Sequence, residues 1–258
     1  MKKTLITGAL ITGAMLGALI GSSAMAADMP LKAPIMKAPP VPVYNWTGCY
    51  LGGGGGYGMW NQENILETDP GHVAITSFTT GGGRGWFGTV GVGCDYQISS
   101  SFVIGAFADW DFGDIKGQFE VPGIAFTGNE SEKWAWAAGG RIGYLVAPTV
   151  LGYFSGGFTQ AHFDSIALSS TFLPNPALGL NIGDHTYSGW FIGSGFDYAI
   201  SFLPSGFFLR SEYRFSSYRA DDLSILTSAG VSDGLAINSK KFVQTVRSEL
   251  IWRFNWFH

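Results

Sequence analysis

The chain has 258 residues, of which 46% are hydrophobic, 15% are aromatic and only 13% are charged. The charged fraction is about half of the roughly 25% found in soluble globular proteins, which is typical of a β-rich protein whose outer surface does not face water. The net charge of −4 argues against nucleic acid as a partner, because phosphate binding needs a basic surface.

The first 26 residues have the features of a cleaved secretory signal. Lys2 and Lys3 precede a charge-free apolar stretch from Leu5 to Ile20, and the sequence AMA at 24–26 supplies the small residues that signal peptidase recognises. The apolar stretch is shorter than the about 20 residues that a membrane helix needs. We therefore expect residues 1–26 to be removed.

A proline-rich segment follows the signal. Residues 28–43 contain five of the eleven prolines, which favour an extended, semi-rigid chain over a helix or a sheet. We expect residues 27–44 to form a periplasmic lead and residues 45–258 to form the folded domain.

From Asn45 onward, apolar and polar residues alternate with a period of two, and no window has a convincing helical period. Eight segments of this kind are found, at 46–57, 84–97, 102–113, 134–145, 150–162, 187–200, 206–217 and 242–257. Short turns alternate with long polar loops, which we place at 58–83, 114–133, 163–186 and 218–241. An even number of strands with this alternation predicts an all-β, eight-stranded antiparallel up-and-down barrel that crosses a membrane. A water-soluble barrel is the rival interpretation.

The charged residues of these strands favour the membrane barrel. They lie on one face of each strand, opposite an apolar face, and a charge that faces hydrocarbon costs about 2–4 kcal/mol. Their signs nearly balance and the cations are all arginines, which suit packed networks with carboxylates. We predict a lumen charge network, structural or pore-lining, made of Asp95, Asp109, Asp111, Arg141, Asp197, Arg210, Glu212, Arg214, Arg247, Glu249 and Arg253.

A glycine-rich stretch in the first strand has the spacing of a dinucleotide-binding loop. Gly53, Gly55 and Gly58 match GxGxxG, but a polar segment follows instead of the helix whose N-terminus would hold a phosphate. We interpret these glycines as structural, since small residues let large inward side chains fit a narrow barrel.

The two cysteines occupy matching positions in the first hairpin. Cys49 lies four residues into the first strand and Cys94 lies four residues before the end of the second. The two Cα atoms could thus lie within the about 4.4–6.8 Å that a disulfide needs. The alternative is that both are small apolar residues that face lipid.

Several stretches resemble one family of bacterial surface proteins. The chain is similar to the small alphaproteobacterial outer-membrane barrels, which are immunogenic, porin-superfamily proteins related to the transmembrane domain of outer-membrane protein A. The similarity extends over nearly all of 44–254 and is carried by YNWTGCYLGG at 44–53, DIKG at 114–117, GWFIGSGFDYA at 189–199, LRSEYRF at 209–215 and TVR at 245–247.

The resemblance implies a location in the bacterial outer membrane, with both termini in the periplasm. It implies a structural, surface-exposed protein that contributes to envelope integrity and displays its loops, without catalysis, cofactor or metal. The implied partners are outer-membrane lipid, lipopolysaccharide and the barrel-assembly machinery.

Three alternatives to the structural role depend on the interior, on the loops and on the outer rim. A narrow passive diffusion pore would need a gap in the lumen network. A haem-binding surface protein would use His72 and His185, which fall in predicted loops. A lipid-modifying enzyme would need His162 and Ser165 near the outer rim, but no third group orients them.

Overall fold

The computed structural model describes residues 45–172 and 177–254, so the predicted signal and proline-rich lead lie outside the described residues. Among the described residues, no helix is long and apolar enough to cross a membrane. They form eleven strands: β1 (Gly48–Thr68), β2 (Thr79–Gln97), β3 (Phe102–Glu120), β4 (Phe126–Ala147), β5 (Val150–Phe163), β6 (Ile166–Ser170), β7 (Ala177–Ile182), β8 (His185–Ala199), β9 (Phe207–Tyr218), β10 (Asp221–Thr227) and β11 (Ser232–Phe254).

Eight of these strands close into a ring. The order is β1-β2-β3-β4-β5-β8-β9-β11, and β11 pairs back to β1 along its length, from Cys49 opposite Phe254 to Thr68 opposite Leu235. All of the pairings are antiparallel. The predicted eight-stranded up-and-down barrel is confirmed.

The three remaining strands extend three members of the ring. Two residues separate β6 from the end of β5, two separate β8 from β7, and two separate β10 from β9. β6 pairs with the outer end of β4, β7 pairs with β6 and β10, and β10 pairs with β11. The wall therefore continues as eight strands past short interruptions at 164–165, 183–184 and 219–220.

The barrel wall is about twice as tall as the apolar part of a membrane. β1 has 21 residues, which at about 3.3 Å per residue and a tilt of about 40° rise about 50 Å, against an apolar band of about 25 Å. The apolar band of this barrel lies next to the short turns, and its exposed members include Leu51, Val90, Val92, Ile104, Trp110, Phe112, Ile142, Phe154, Ile192, Phe196, Leu209, Val246, Leu250 and Trp252.

The polarity of the wall inverts beyond this band. Within the band, apolar side chains face outward and charges face the lumen. Farther out, exposed charged side chains such as Arg84 and Lys116 project from the strands, and the interior holds an apolar cluster. We call this cluster the outer core, and its buried members include Trp60, Leu66, Phe119, Phe163, Ile166, Leu168, Ile182, Tyr187, Tyr218, Ile225, Ile237 and Val243.

This inversion corrects the predicted loop boundaries. Most of 58–83, 114–133, 163–186 and 218–241 is strand, and the described connections between strands at the outer end are 69–78, 121–125 and 228–231, with 171–172 following β6. The prediction was wrong because it assumed that every strand has a charged lumen face and an apolar outer face along its whole length. The outer half of each strand has the opposite arrangement, which is that of a water-soluble barrel.

Candidate functional site

An apolar cluster closes the lumen at the end that carries the short turns. We call it the inner floor, and its buried members are Trp46, Tyr50, Val103, Leu151, Ala199, Phe208 and Ile251. The rings of Trp46 and Phe208 pack with their centroids 5.0 Å apart. The Arg253 guanidinium lies 5.1 Å from the Trp46 ring, so the first charges sit directly above the floor.

A lower charged layer lies above the inner floor. Arg141 donates two hydrogen bonds to Asp95, at 2.9 and 2.5 Å, and Arg210 donates two to Asp197, at 2.7 and 2.9 Å. Arg253 contacts both carboxylates, with 2.6 Å to Asp95 and 3.5 Å to Asp197. Three arginines are thus joined by two fully buried aspartates, a geometry that bidentate guanidinium groups favour.

An upper charged layer follows. Arg214 pairs with Asp109 and Glu212, at 2.7 and 2.8 Å, and Arg247 pairs with Asp111 at 2.8 Å and Asp109 at 3.3 Å. The two layers are linked by Glu249, whose oxygens lie 3.9 Å from Arg210 and 4.0 Å from Arg247. The structure therefore brings all eleven residues of the predicted network together in the lumen.

Aromatic rings fill the space between the guanidinium groups. Arg141 lies 4.9 Å from the ring centroids of both Tyr50 and Tyr153, and Arg210 lies 4.5 Å from that of Tyr50. The Tyr153 hydroxyl also donates a hydrogen bond of 2.8 Å to Glu212. These contacts leave little open space around the charges.

Inward-facing glycines make room for these large side chains. A Cβ added at Gly105 would collide with the Asp95 carboxylate, and one added at Gly193 would lie 2.6 Å from the Ser155 hydroxyl. The GxGxxG stretch lies within β1 and pairs with β2, so no helix follows it. This placement is consistent with a structural reading of the glycines.

The outer core contains a polar cluster that the sequence pattern did not predict. Lys241 is fully buried and donates hydrogen bonds of 2.5 Å to Gln62 and 2.6 Å to Glu130. Its ammonium lies 4.4 Å from the Phe163 ring centroid. Glu132 is also buried, and one of its oxygens has no hydrogen-bond partner. All of these residues fell in predicted loops, although continued period-two alternation could have revealed them.

Two small cavities lie in the lumen, one between the two charged layers and one beside Asp111 and Glu132. Each has a volume of about 10 Å³, which is about the space that one water molecule occupies. The lumen is therefore packed with side chains through the inner floor, both charged layers and the outer core.

Cys49 and Cys94 are directly opposite each other in the β1–β2 register. They form a disulfide with a Cα–Cα distance of 3.9 Å. This distance is shorter than the about 4.4–6.8 Å expected for a disulfide. The disulfide joins the two strands near the short-turn end of the barrel.

We expect purified, non-reduced and denatured protein to incorporate no maleimide, and to incorporate two after reduction. Replacing both cysteines with alanine should lower the free energy of unfolding by about 2–4 kcal/mol, because the bond closes a long loop in the unfolded chain. Urea titration of the double variant would measure this. Labelling of both thiols before reduction would contradict the bond.

The histidines of the outer end pair with carboxylates. His72 lies 3.7 Å from Glu67 and 3.2 Å from Asp222, and His185 lies 3.0 Å from Asp221. Glu67, His72 and Asp222 have ligand atoms within 4.8 Å of one another, although Asp222 lies far from the other two in the chain. Exposed clusters of this kind are common without a metal, and we assign none.

Two further side chains of the outer end are accounted for by local hydrogen bonds. Side-chain hydrogen bonds from Ser232 and Ser224 lower the pKa of Asp69, which lies in the connection between β1 and β2. His162 faces outward, and its Nδ1 lies 2.9 Å from the Thr186 hydroxyl. No hydrogen bond joins His162 to Ser165 among the described residues, so the structure does not assemble the catalytic pair that the sequence suggested.

A closed ring of eight antiparallel strands, with an apolar outer band and a charged interior, defines a small transmembrane β-barrel. No protein-family model matches the chain. It is 28% identical over 250 residues to the 31 kDa outer-membrane immunogenic protein of Brucella melitensis biotype 1, with 93% of this chain and 98% of the relative covered. The protein of the same name from Brucella suis biovar 1 gives the same values.

The outer membrane protein OprG from Pseudomonas aeruginosa has the same fold. The TM-score is 0.54 with 13% sequence identity, and the match covers 81% of this chain and 97% of OprG. The chain is therefore a small β-barrel of the bacterial outer membrane, as the sequence resemblance predicted.

Proposed function

We propose that this barrel is a sealed, structural outer-membrane protein that contributes to envelope integrity and displays its outer end at the cell surface. The observation that supports this most directly is the continuous packing of the lumen. Trp46 in the inner floor, Asp197 in the lower charged layer and Trp60 in the outer core are all fully buried. A passive pore needs a water-filled path through these levels.

The outer end is suited to display because the barrel wall itself rises above the membrane. Short turns in barrels of this class face the periplasm, and the longer connections face outside. The outer core holds the exposed wall in one conformation, so the polar outward side chains of β1–β4 are presented on a rigid surface. The surrounding lipid and the barrel-assembly machinery are the partners that this role requires.

Catalysis and haem binding are not part of this proposal. His162 is engaged with Thr186, and the rings of Trp134 and His162 stack at 5.1 Å. His72 and His185 are each engaged with an aspartate. These contacts support a structural use of the histidines.

Planar-bilayer recording tests the sealed lumen. We expect refolded barrel, whose folding is first shown by different gel mobility before and after boiling, to insert without discrete conductance steps. Bilayers that receive the same detergent without protein provide the baseline. Reproducible steps whose frequency rises with protein concentration would show an open path, and the diffusion-pore alternative would replace the structural proposal.

A further inference from the structure

The outward face of β3–β5 carries a ladder of stacked rings at the upper edge of the apolar band. Trp110 and Trp134 stack with centroids 5.0 Å apart and an interplanar angle of 20°. His162 stacks on Trp134 at 5.1 Å and 7°. Aromatic residues at this depth lie where hydrocarbon meets lipid head groups.

Three cations lie directly beyond the apolar band on adjacent strands. Arg84 of β2 is opposite Lys116 of β3 in the register, so both project from the same face. Lys116 and Lys133 share the Asp114 carboxylate, at 2.8 and 2.9 Å, and Lys133 also pairs with Asp164 at 3.3 Å. The hydrogen bonds from Lys116 and Lys133 lower the pKa of Asp114, which lies outside the apolar band, to about 2, and the carboxylate holds the two ammonium groups close together.

The cation Arg84 is exposed and has no ion-pair partner among the described residues, while the Lys116 side chain is 70% exposed. Of the eleven cations in the described residues, six are buried in the lumen. Three of the other five form this group, and the remaining two, Arg219 and Lys240, lie elsewhere on the ring. The exposed cations are therefore concentrated on one side of the barrel.

An apolar groove runs down the same side, beneath the ring ladder. It has a volume of about 630 Å³ and is lined by side chains that include Val90, Val92, Ala108, Trp110 and Trp136. The barrel surface is recessed there because Ala108 and Ala138 are opposite each other in the β3–β4 register, as are Ala106 and Gly140 one pair lower. Small residues between larger ones leave room for a hydrocarbon chain against the barrel wall.

We propose that this face of β1–β4 binds a phosphorylated glycolipid of the outer leaflet, with its phosphates at Arg84, Lys116 and Lys133 and an acyl chain in the groove. The three cations span three strands, a width of about 10 Å at roughly 4.8 Å per strand. This width suits a sugar head group with more than one phosphate better than a phospholipid with one. The ring ladder lies between the phosphates and the acyl chain, at the depth of the sugar.

The test uses full-length mature protein in detergent micelles, titrated with bisphosphorylated lipid A and followed by native mass spectrometry. The variant Arg84→Gln/Lys116→Gln should bind lipid A about tenfold or more weakly, because each basic residue near a charged head group contributes about 1 kcal/mol. The matched control Arg219→Gln/Lys240→Gln removes the same charge elsewhere and should change the affinity less than about twofold.

A second variant tests the groove independently of charge. Ala108→Phe fills the groove and should weaken binding of lipid A while leaving binding of its deacylated head group unchanged. All variants must keep the mobility difference between boiled and unboiled samples.

Three results would overturn the proposal. Equal weakening in the two charge variants would show unspecific attraction to the barrel as a whole. Unchanged affinity in Arg84→Gln/Lys116→Gln would remove the cations from the site. Displacement of lipid A by inorganic phosphate would show a free-anion site instead of a glycolipid site. None of these results depends on whether the lumen conducts.

Discussion

Replacing Asp197 with alanine is expected to lower the free energy of unfolding by about 3–5 kcal/mol, because it leaves buried arginines without their carboxylate. Asp197 is fully buried and contacts Arg210 at 2.7 Å, Arg141 at 3.2 Å and Arg253 at 3.5 Å. After the substitution, Arg141 and Arg253 would keep Asp95, and Arg210 would keep only Glu249, at 3.9 Å. Urea titration of the barrel in lipid vesicles, followed by tryptophan fluorescence and by gel mobility, measures the change.

Asp164→Ala is the matched control for this experiment. Asp164 also pairs with a cation, Lys133 at 3.3 Å, but its side chain is 48% exposed. Exposed pairs contribute only about 0–1 kcal/mol, so this variant should unfold close to the wild type. If Asp197→Ala were as stable as Asp164→Ala, the lower charged layer would not be the buried network that the contacts describe.

Replacing Lys241 with methionine should destabilise the outer core by about 3–5 kcal/mol at neutral pH, because Glu130 loses its buried cation. Methionine keeps the length and apolar stem of lysine, so the expected loss comes from charge and not from a cavity. Lys240→Met removes the neighbouring, outward-facing cation and should have little effect. Urea unfolding at several pH values measures both variants.

The pH dependence gives this prediction a second readout. Without Lys241, no buried cation favours the charged form of the carboxylates in the outer core. The folded state of the variant therefore binds a proton more tightly than its unfolded state does. Stability of the variant relative to wild type should therefore fall as pH rises from about 4 towards 8. The double variant Lys241→Met/Glu130→Gln should recover most of the loss. A deficit that is the same at all pH values would contradict the charge explanation.

The transmembrane half of the fold could be predicted from the sequence because lipid imposes a strict pattern there. In β3, Ile104, Trp110 and Phe112 alternate with Asp109 and Asp111, and the cost of a charge in hydrocarbon leaves one choice of face. The same reasoning gave the membership of the lumen network. It could not give the pairing, since which arginine reaches which acid depends on strand register and ring closure.

The outer half could not be predicted because its environment is different. Trp60 and Leu66 continue the alternation of β1 on the inward face, but between them lie the inward polar residues Gln62 and Asn64. Polar residues at these inward positions are typical of a loop and interrupt the uniform apolar face that predicts a strand. The cluster of Glu67, His72 and Asp222 was equally inaccessible, because its members come from β1, the connection after it and β10, and meet through the fold and not through spacing in the chain.

The inversion of polarity along the wall has a consequence for immune recognition of the exposed end. An antibody that binds the rigid outer wall meets every second residue of several neighbouring strands, such as Arg84, Lys116 and Ser131. A synthetic peptide copied from one strand would present its core-facing residues as well, and would lack the neighbours. Epitopes on this wall are therefore discontinuous, and a folded barrel is the immunogen that reproduces them.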